Sequence, residues 1–186
     1  PLLVLYGSNS GSAEAFAQRI AADAKAQGYA PEIGILDDHT GRLPTAGPVI
    51  VVTASYEGQP TDNAKQFVAW LDTLKPGDLS GVKFGVFGCG NRDWVRTYQA
   101  IPKKIDARLE AAGATRIVER GEADARGDVF GDFDRWYEKL WSTLGEAFDR
   151  ASPALADGPL FEVEVVKETR AARLRQSELQ QGVIVE

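Results

Sequence analysis

"LYGSNSGSAEAF", Leu5 to Phe16, is the stretch on which the fold turns. An apolar run, Leu2-Leu3-Val4-Leu5, leads into small and hydroxylated residues, Gly7-Ser8-Asn9-Ser10-Gly11-Ser12. Ala13, Phe16, Ala17, Ile20 and Ala24 then recur at helical spacing. Strand, loop, helix is the order that presents backbone N–H groups at a helix N-terminus, where the dipole favours an anion. This loop has no Lys or Arg. It lacks the lysine of a P-loop and the spaced glycines of a dinucleotide fingerprint. Ser8, Ser10 and Ser12 hydroxyls, the Asn9 side chain and peptide N–H groups around Gly11 suit one compact phosphate monoester. A triphosphate with magnesium would ask for a lysine and an acidic metal ligand. The plain alternative is a serine-rich turn that only caps its helix.

Outward from this stretch, strands and helices alternate. Gly28 stands where a helix ends in a left-handed residue. Pro31–Leu36 reads as a weaker strand and Pro48–Ala54 (PVIVVTA) as a buried one. Ala64, Phe67, Val68 and Leu71 mark a helix, with Thr61 or Asp62 as its expected cap. Val82–Gly88 reads as a strand, and Ile101, Ile105 and Leu109 as a helix that Gly113 ends. Arg116–Glu119 is the expected fifth strand, and one apolar stripe from Phe133 to Phe148 marks a last helix. Near-continuous apolar strands alternating with helices predict an α/β fold. The expected form is a doubly wound, five-stranded parallel sheet with helices on both faces.

Such sheets bind ligands outside the carboxyl ends of their strands. Three loops stand there: Ser8–Ser12, Ser55–Pro60 and Cys89–Tyr98. The second offers Tyr56 before a glycine-containing turn. The third offers paired glycines, Gly88 and Gly90, that admit close backbone approach, and then Trp94 on a polar loop. Two aromatics on neighbouring loops can clamp a planar ring by offset stacking. Alternatively they are ordinary half-exposed aromatics covering the sheet end. Taken together, the phosphate loop and the two aromatic loops imply a flat cofactor with a monophosphate tail, for which FMN is the obvious candidate.

Composition bounds the rest. In 186 residues, 44% are apolar and 26% charged, ordinary for one globular domain with a short remainder. No apolar run approaches the ~20 residues that span a bilayer, and no signal-peptide pattern is present. The net charge of −6 argues against nucleic acid and anionic membranes. One Cys and one His exclude an intrachain disulfide and an ordinary zinc site, and fit a reducing cytoplasm. His39 is expected at the surface. Pro1 and the absence of Met suggest a piece of a longer polypeptide. We expect a domain over residues 1–150, a linker over 151–159 rich in Ala, Pro, Asp and Gly, and the start of a following segment over 160–186. Within that segment LFEVEVVK (160–167) alternates like a half-buried strand, whose other reading is a strand packed back on the first domain.

The stretches YGSNSGSAE (6–14), TASYEGQPTDNAKQF (53–67), VFGCGNRDW (86–94), TYQ (97–99) and GEAD (121–124) resemble the flavodoxin-like FMN domain of diflavin reductases. The resemblance is greatest to self-sufficient cytochrome P-450 monooxygenase fusions, in which haem, FMN and FAD domains share one chain. It covers about Leu2 to Phe148. The short Tyr56-Glu57-Gly58-Gln59-Pro60 turn is the form those fusions have. The resemblance implies that Ser8, Asn9, Ser10, Gly11 and Ser12 hold the FMN phosphate. It implies that Tyr56 and Trp94 stack on the ring, with Ala54, Ser55, Glu57 and Gly58 along its redox-active edge. Cys89, Gly90 and Asn91 would lie under the pyrimidine side and Tyr98 near the ribityl chain. Glu122 and Asp124 would lie near the ring or on a docking face, where acidic residues would steer partners by charge. Cys89 is expected to be an inert buried thiol. No catalytic residue and no metal are expected. The implied function is electron transfer from an NADPH-reduced FAD domain, through FMN, to a haem-thiolate domain of the same polypeptide. A stand-alone flavodoxin-type carrier, or the FMN domain of a diflavin reductase with another haem acceptor, are the other readings.

Overall fold

The computed structural model describes residues 1–148. The expected linker over 151–159 and the segment over 160–186 lie outside the described residues.

The strands are β1 (Leu2–Gly7), β2 (Pro31–Ile35), β3 (Pro48–Tyr56), β4 (Gln59–Pro60), β5 (Lys83–Gly90), β6 (Thr115–Arg116) and β7 (Gly121–Asp124). The helices are α1 (Ser12–Ala24), α2 (Lys65–Leu71), α3 (Ala100–Ala111) and α4 (Val129–Ala147), with a 3-10 turn at Leu36–His39. The sheet runs β2-β1-β3-β5-β6, and β7 also pairs with β5. Every pairing is parallel except β3 with β4. This is the five-stranded doubly wound sheet expected, with its fifth strand in two pieces.

The split corrects the expected strand at Arg116–Glu119. The chain leaves the sheet after Arg116 because Val118 turns inward against Gly85, where any Cβ would meet Val118 Cγ1 at 2.7 Å. The Trp136 indole donates to the Glu119 carbonyl at 2.9 Å and holds the detour. Gly121 lets the chain rejoin: a Cβ there would stand 2.5 Å from both Phe87 and Trp136.

Two cores lie on the two faces. The α1/α4 face is aromatic, with Phe16 stacked on Phe133 at 4.2 Å and Phe87 edge-on to both. The α2/α3 face is aliphatic, built from Leu5, Val49, Val51, Leu71, Ile105 and Leu109, with Phe67 and Phe84 between them. Each of these buried side chains contributes roughly 1.5–3 kcal/mol by leaving water.

Helix capping on the second face departs from the sequence reading. Neither Thr61 nor Asp62 caps α2 with its side chain. Asp37, on the 3-10 turn, accepts the Phe67 N–H at 3.0 Å instead. The start of α3 is likewise satisfied from elsewhere: Ser55 Oγ accepts the Ile101 N–H at 2.8 Å. Both helix starts are thereby tied to neighbouring loops rather than capped locally. Gly28 has a φ of 78° and closes α1 as expected. No helix among the described residues is long and apolar enough to cross a membrane.

Candidate cofactor site

One rung of the sheet sets the position of all three loops. Gly7 pairs with Thr53, Thr53 with Gly88, and Gly88 with Glu122. The serine, tyrosine and tryptophan loops therefore start side by side at the carboxyl edge. Two bare glycines allow this packing. A Cβ at Gly7 would meet the Thr53 and Thr61 hydroxyls at 2.5 and 2.7 Å. One at Gly88 would stand 1.8 Å from Gln99 Oε1.

β3 continues to Tyr56 and turns back at once into β4. Tyr56 pairs with Gln59, which leaves only Glu57 and Gly58 in the turn. Their φ values are 51° and 81°, the two positive angles of a type I′ hairpin turn. Glu57 adopts that left-handed angle without being glycine, which is a strained placement. Gly58 has a second reason to be glycine, since a Cβ would meet Thr97 Cγ2 at 2.8 Å.

The loop after β5 is a chain of tight turns. Asn91 Oδ1 accepts the Asp93 N–H at 2.8 Å, and the Trp94 carbonyl accepts the Thr97 and Tyr98 N–H groups at 2.9 and 2.8 Å. Asp124 fastens it, accepting the Arg92 N–H at 3.0 Å and the Arg126 N–H at 3.1 Å and pairing with the Arg92 guanidinium at 3.2 Å. Partial desolvation pushes the Asp124 carboxyl upward. The two N–H donors and the Arg92 and Arg126 charges outweigh that and hold it below the usual carboxylate range. The Arg92 guanidinium also lies 4.9 Å from the Tyr98 ring centroid.

Between the two loops is a cleft of about 170 Å³, lined by Ser55, Tyr56, Glu57, Gly90, Asn91, Trp94, Thr97, Tyr98 and Gln99. Typical small-molecule pockets run from ~300 Å³ upward, so the cleft suits one part of a ligand rather than a whole dinucleotide. Tyr56 is 60% and Trp94 63% exposed, although both are large aromatics beside a slot. Gly90 keeps its floor open: a Cβ there would crowd the Tyr98 ring at 3.0 Å. The Tyr98 hydroxyl is buried with no well-formed hydrogen bond, although Arg92 and Gln99 stand beside it. A cleft lined by two exposed aromatics fits a planar ring.

The structure thus brings seven of the sequence-predicted residues into one cleft: Ser55, Tyr56, Glu57, Gly90, Asn91, Trp94 and Tyr98. Ala54 and Cys89 pair in register at the strand ends beside it. Cys89 is buried, and desolvation pushes its thiol up to about 12. Ser8, Asn9, Ser10, Gly11 and Ser12 form the neighbouring loop at the head of α1. Asp124 is not among the lining residues, and both it and Glu122 are engaged by Arg92. Arg120 takes Glu122 as well, at 2.7 Å. Glu122 and Asp124 are therefore each paired with arginine.

Sequence reasoning missed Thr97 and Gln99. Gln99 is fully buried at a φ of 59°, and its Nε2 donates to the Gly88 carbonyl at 2.9 Å, tying the start of α3 to the end of β5. Nothing in the run TYQAIP announces a left-handed residue there. His39 is half-buried against Gly34 and is not among the residues that line the cleft. Among the described residues no His/Cys/Asp/Glu group could hold a metal.

Comparison with known proteins agrees with this fold. The flavodoxin family profile matches residues 4–136. The chain belongs to the flavodoxin family. Within it, the chain is 47% identical over 190 residues to the self-sufficient cytochrome P450 monooxygenase CYP505E3 of Phanerodontia chrysosporium, covering 100% of the chain and 18% of that relative. It is 48% identical over 149 residues to the bifunctional cytochrome P450/NADPH–P450 reductase 2 of Bacillus subtilis, covering 80% of the chain and 14% of that relative. The chain therefore spans less than a fifth of these curated relatives. Among solved structures, oxidised flavodoxin 1 from Bacillus cereus superposes with a TM-score of 0.61 at 17% identity, covering 78% of this chain and 97% of that one. The flavodoxin of Streptococcus pneumonia gives 0.62 at 21%, covering 78% and 98%. At such identities these two likenesses speak for the flavodoxin fold alone.

Proposed function

We propose that this flavodoxin-family chain binds FMN and serves as the electron-transfer domain of a fused haem-thiolate monooxygenase. It would accept electrons from an NADPH-reduced FAD domain and deliver them singly to the haem. The observation that carries the reading is the pair of exposed aromatics, Tyr56 and Trp94, lining one cleft at the strand ends where the cation-free serine loop also starts. The names of the relatives supply the setting: one is a self-sufficient P450 monooxygenase, and the other joins a P450 and an NADPH–P450 reductase as a bifunctional protein.

FMN, when bound, supplies reversible one- and two-electron chemistry. The chain's own residues bind and tune it. Tyr56 and Trp94 cover the ring and exclude water. The Glu57–Gly58 peptide lies outside the β3–β4 ladder and offers a hydrogen bond to the ring edge. Ser8–Ser12 hold the phosphate with neutral donors and the dipole of α1, which leaves no fixed cation to favour a larger phosphate chain. No side chain needs to act as acid, base or nucleophile. Residues 160–186 lead into the FAD domain in this reading, and similarity to the Phanerodontia chrysosporium relative over the whole chain supports it. The single reduced Cys fits work in the cytoplasm.

The test combines three proteins. The chain is loaded with FMN and mixed with a separately prepared FAD/NADPH domain and the haem domain of such a fusion, under carbon monoxide. The ferrous carbonyl complex of the haem should form on adding NADPH only when this chain is present. Equal formation without it would remove the proposed role.

A further inference from the structure

We propose that Asn63 is the positioning residue that preforms the serine loop for a phosphate, and so sets the preference for a phosphorylated flavin over its dephospho form. The proposal rests on the FMN reading above.

Asn63 lies before α2, 55 residues from the loop it touches. Its Oδ1 accepts the Ser8 N–H at 3.0 Å and the Thr61 hydroxyl at 3.1 Å. The Asn63 backbone is itself fixed, because its carbonyl accepts the Asp37 N–H at 3.1 Å. Thr61 is almost fully buried and reaches its place only because Gly7 has no side chain. A second bond runs the other way: Asn9 Oδ1 accepts the Asp62 N–H at 2.8 Å. The Ser8 Oγ then accepts the Gly11 N–H at 2.9 Å and closes the loop on itself.

These bonds have one consequence in common. They consume the N–H groups of Ser8 and Gly11 and so fix the path of the loop. The N–H groups at the first turn of α1, from Ser12 onward, are left without helical acceptors. The loop is therefore ordered before any ligand arrives, and the free donors lie at the head of α1 in a run without a lysine. A phosphate gains from such preorganisation, whereas a ligand ending in a ribityl hydroxyl gains little. Asn63 would not touch the phosphate; it acts through Ser8.

The experiment measures FMN and riboflavin dissociation constants side by side for the whole chain, by quenching of flavin fluorescence. Loss of one such hydrogen bond predicts FMN affinity of Asn63→Ala lowered roughly 3- to 10-fold, with riboflavin affinity changed less than about 2-fold. Thr61→Val removes the hydroxyl that orients Asn63 at nearly constant volume, and should shift the FMN-to-riboflavin ratio the same way by less. It also carries the test if Asn63→Ala does not fold, as judged by circular dichroism. Trp94→Ala is the control, weakening both flavins together. An unchanged ratio in both Asn63→Ala and Thr61→Val, whether through no loss or through equal loss, overturns the proposal. Wild-type chain that binds neither flavin overturns the reading of the site itself.

Discussion

The serine loop after β1 and the tryptophan loop after β5 leave the sheet from the same rung, yet they are held by different forces. The serine loop is fixed by neutral hydrogen bonds, from Ser8 and Asp62 N–H groups to Asn63 and Asn9 side chains. The tryptophan loop is fixed by charge, through Asp124 with Arg92 and Arg126. One loop carries only small and polar residues, Ser8 to Ser12, at the head of α1. The other holds Trp94 out in solvent beside Tyr56. A neutral scaffold suits the dianion that the proposed function assigns to this loop. An ionic latch suits a site whose ligand, a flat ring, brings little charge. In the proposed reading, a chain with a net charge of −6 would bind the phosphate through dipoles rather than through net charge.

The largest effect that sharpens this contrast is Trp94→Ala. Removing a stacking face should weaken flavin binding by about 1–3 kcal/mol, and a titration that finds no change would reduce Trp94 to a surface aromatic. Next comes Gly58→Ala, at a φ of 81° and against Thr97. Urea unfolding should show a loss of about 1–2 kcal/mol, and an unchanged midpoint would contradict the turn geometry.

Smaller effects separate the latch from the neutral scaffold. Arg92→Ala should weaken flavin binding by about two- to fivefold at low salt, and raised salt should narrow the gap between variant and wild type. Acid should do the same to the wild type. The folded-state value of Asp124 lies below its unfolded one. Its contribution is therefore complete above the usual carboxylate range and is lost as pH falls through the depressed value. In Asp124→Asn that acid limb of flavin binding should be absent; a limb of the same height would place the titration elsewhere. Smallest of all is Cys89→Ala. With its thiol pushed up to about 12 and buried, Cys89 should resist alkylation at neutral pH, and its replacement should leave flavin binding unchanged. Rapid labelling of native protein would contradict the burial.

Much of this was legible before any coordinates. The helix faces were read from apolar spacing, and Phe16, Ile20, Phe67, Val68, Ile105 and Leu109 are all buried as their periodicity requires. The three loops were placed because strand ends carry ligands in doubly wound sheets. What could not be read depends on partners distant in sequence. Asn63 looks like a helix-start residue until its bond to Ser8 is seen. Asp37 and Ser55 cap helices they do not belong to. Nor does the sequence show that Asp124 holds Arg92 and so supports the tryptophan loop. The split of the last strand follows from Val118 packing on Gly85, a contact that no local propensity encodes.

The most direct measurement is a titration of FMN with the purified chain, read by flavin fluorescence. Stacking between Tyr56 and Trp94 predicts strong quenching that saturates at one FMN per chain, with much of it lost in Trp94→Ala. FMN that stays fully fluorescent at saturating protein, or quenching that Trp94→Ala leaves intact, would contradict the assignment of the cleft as the flavin site.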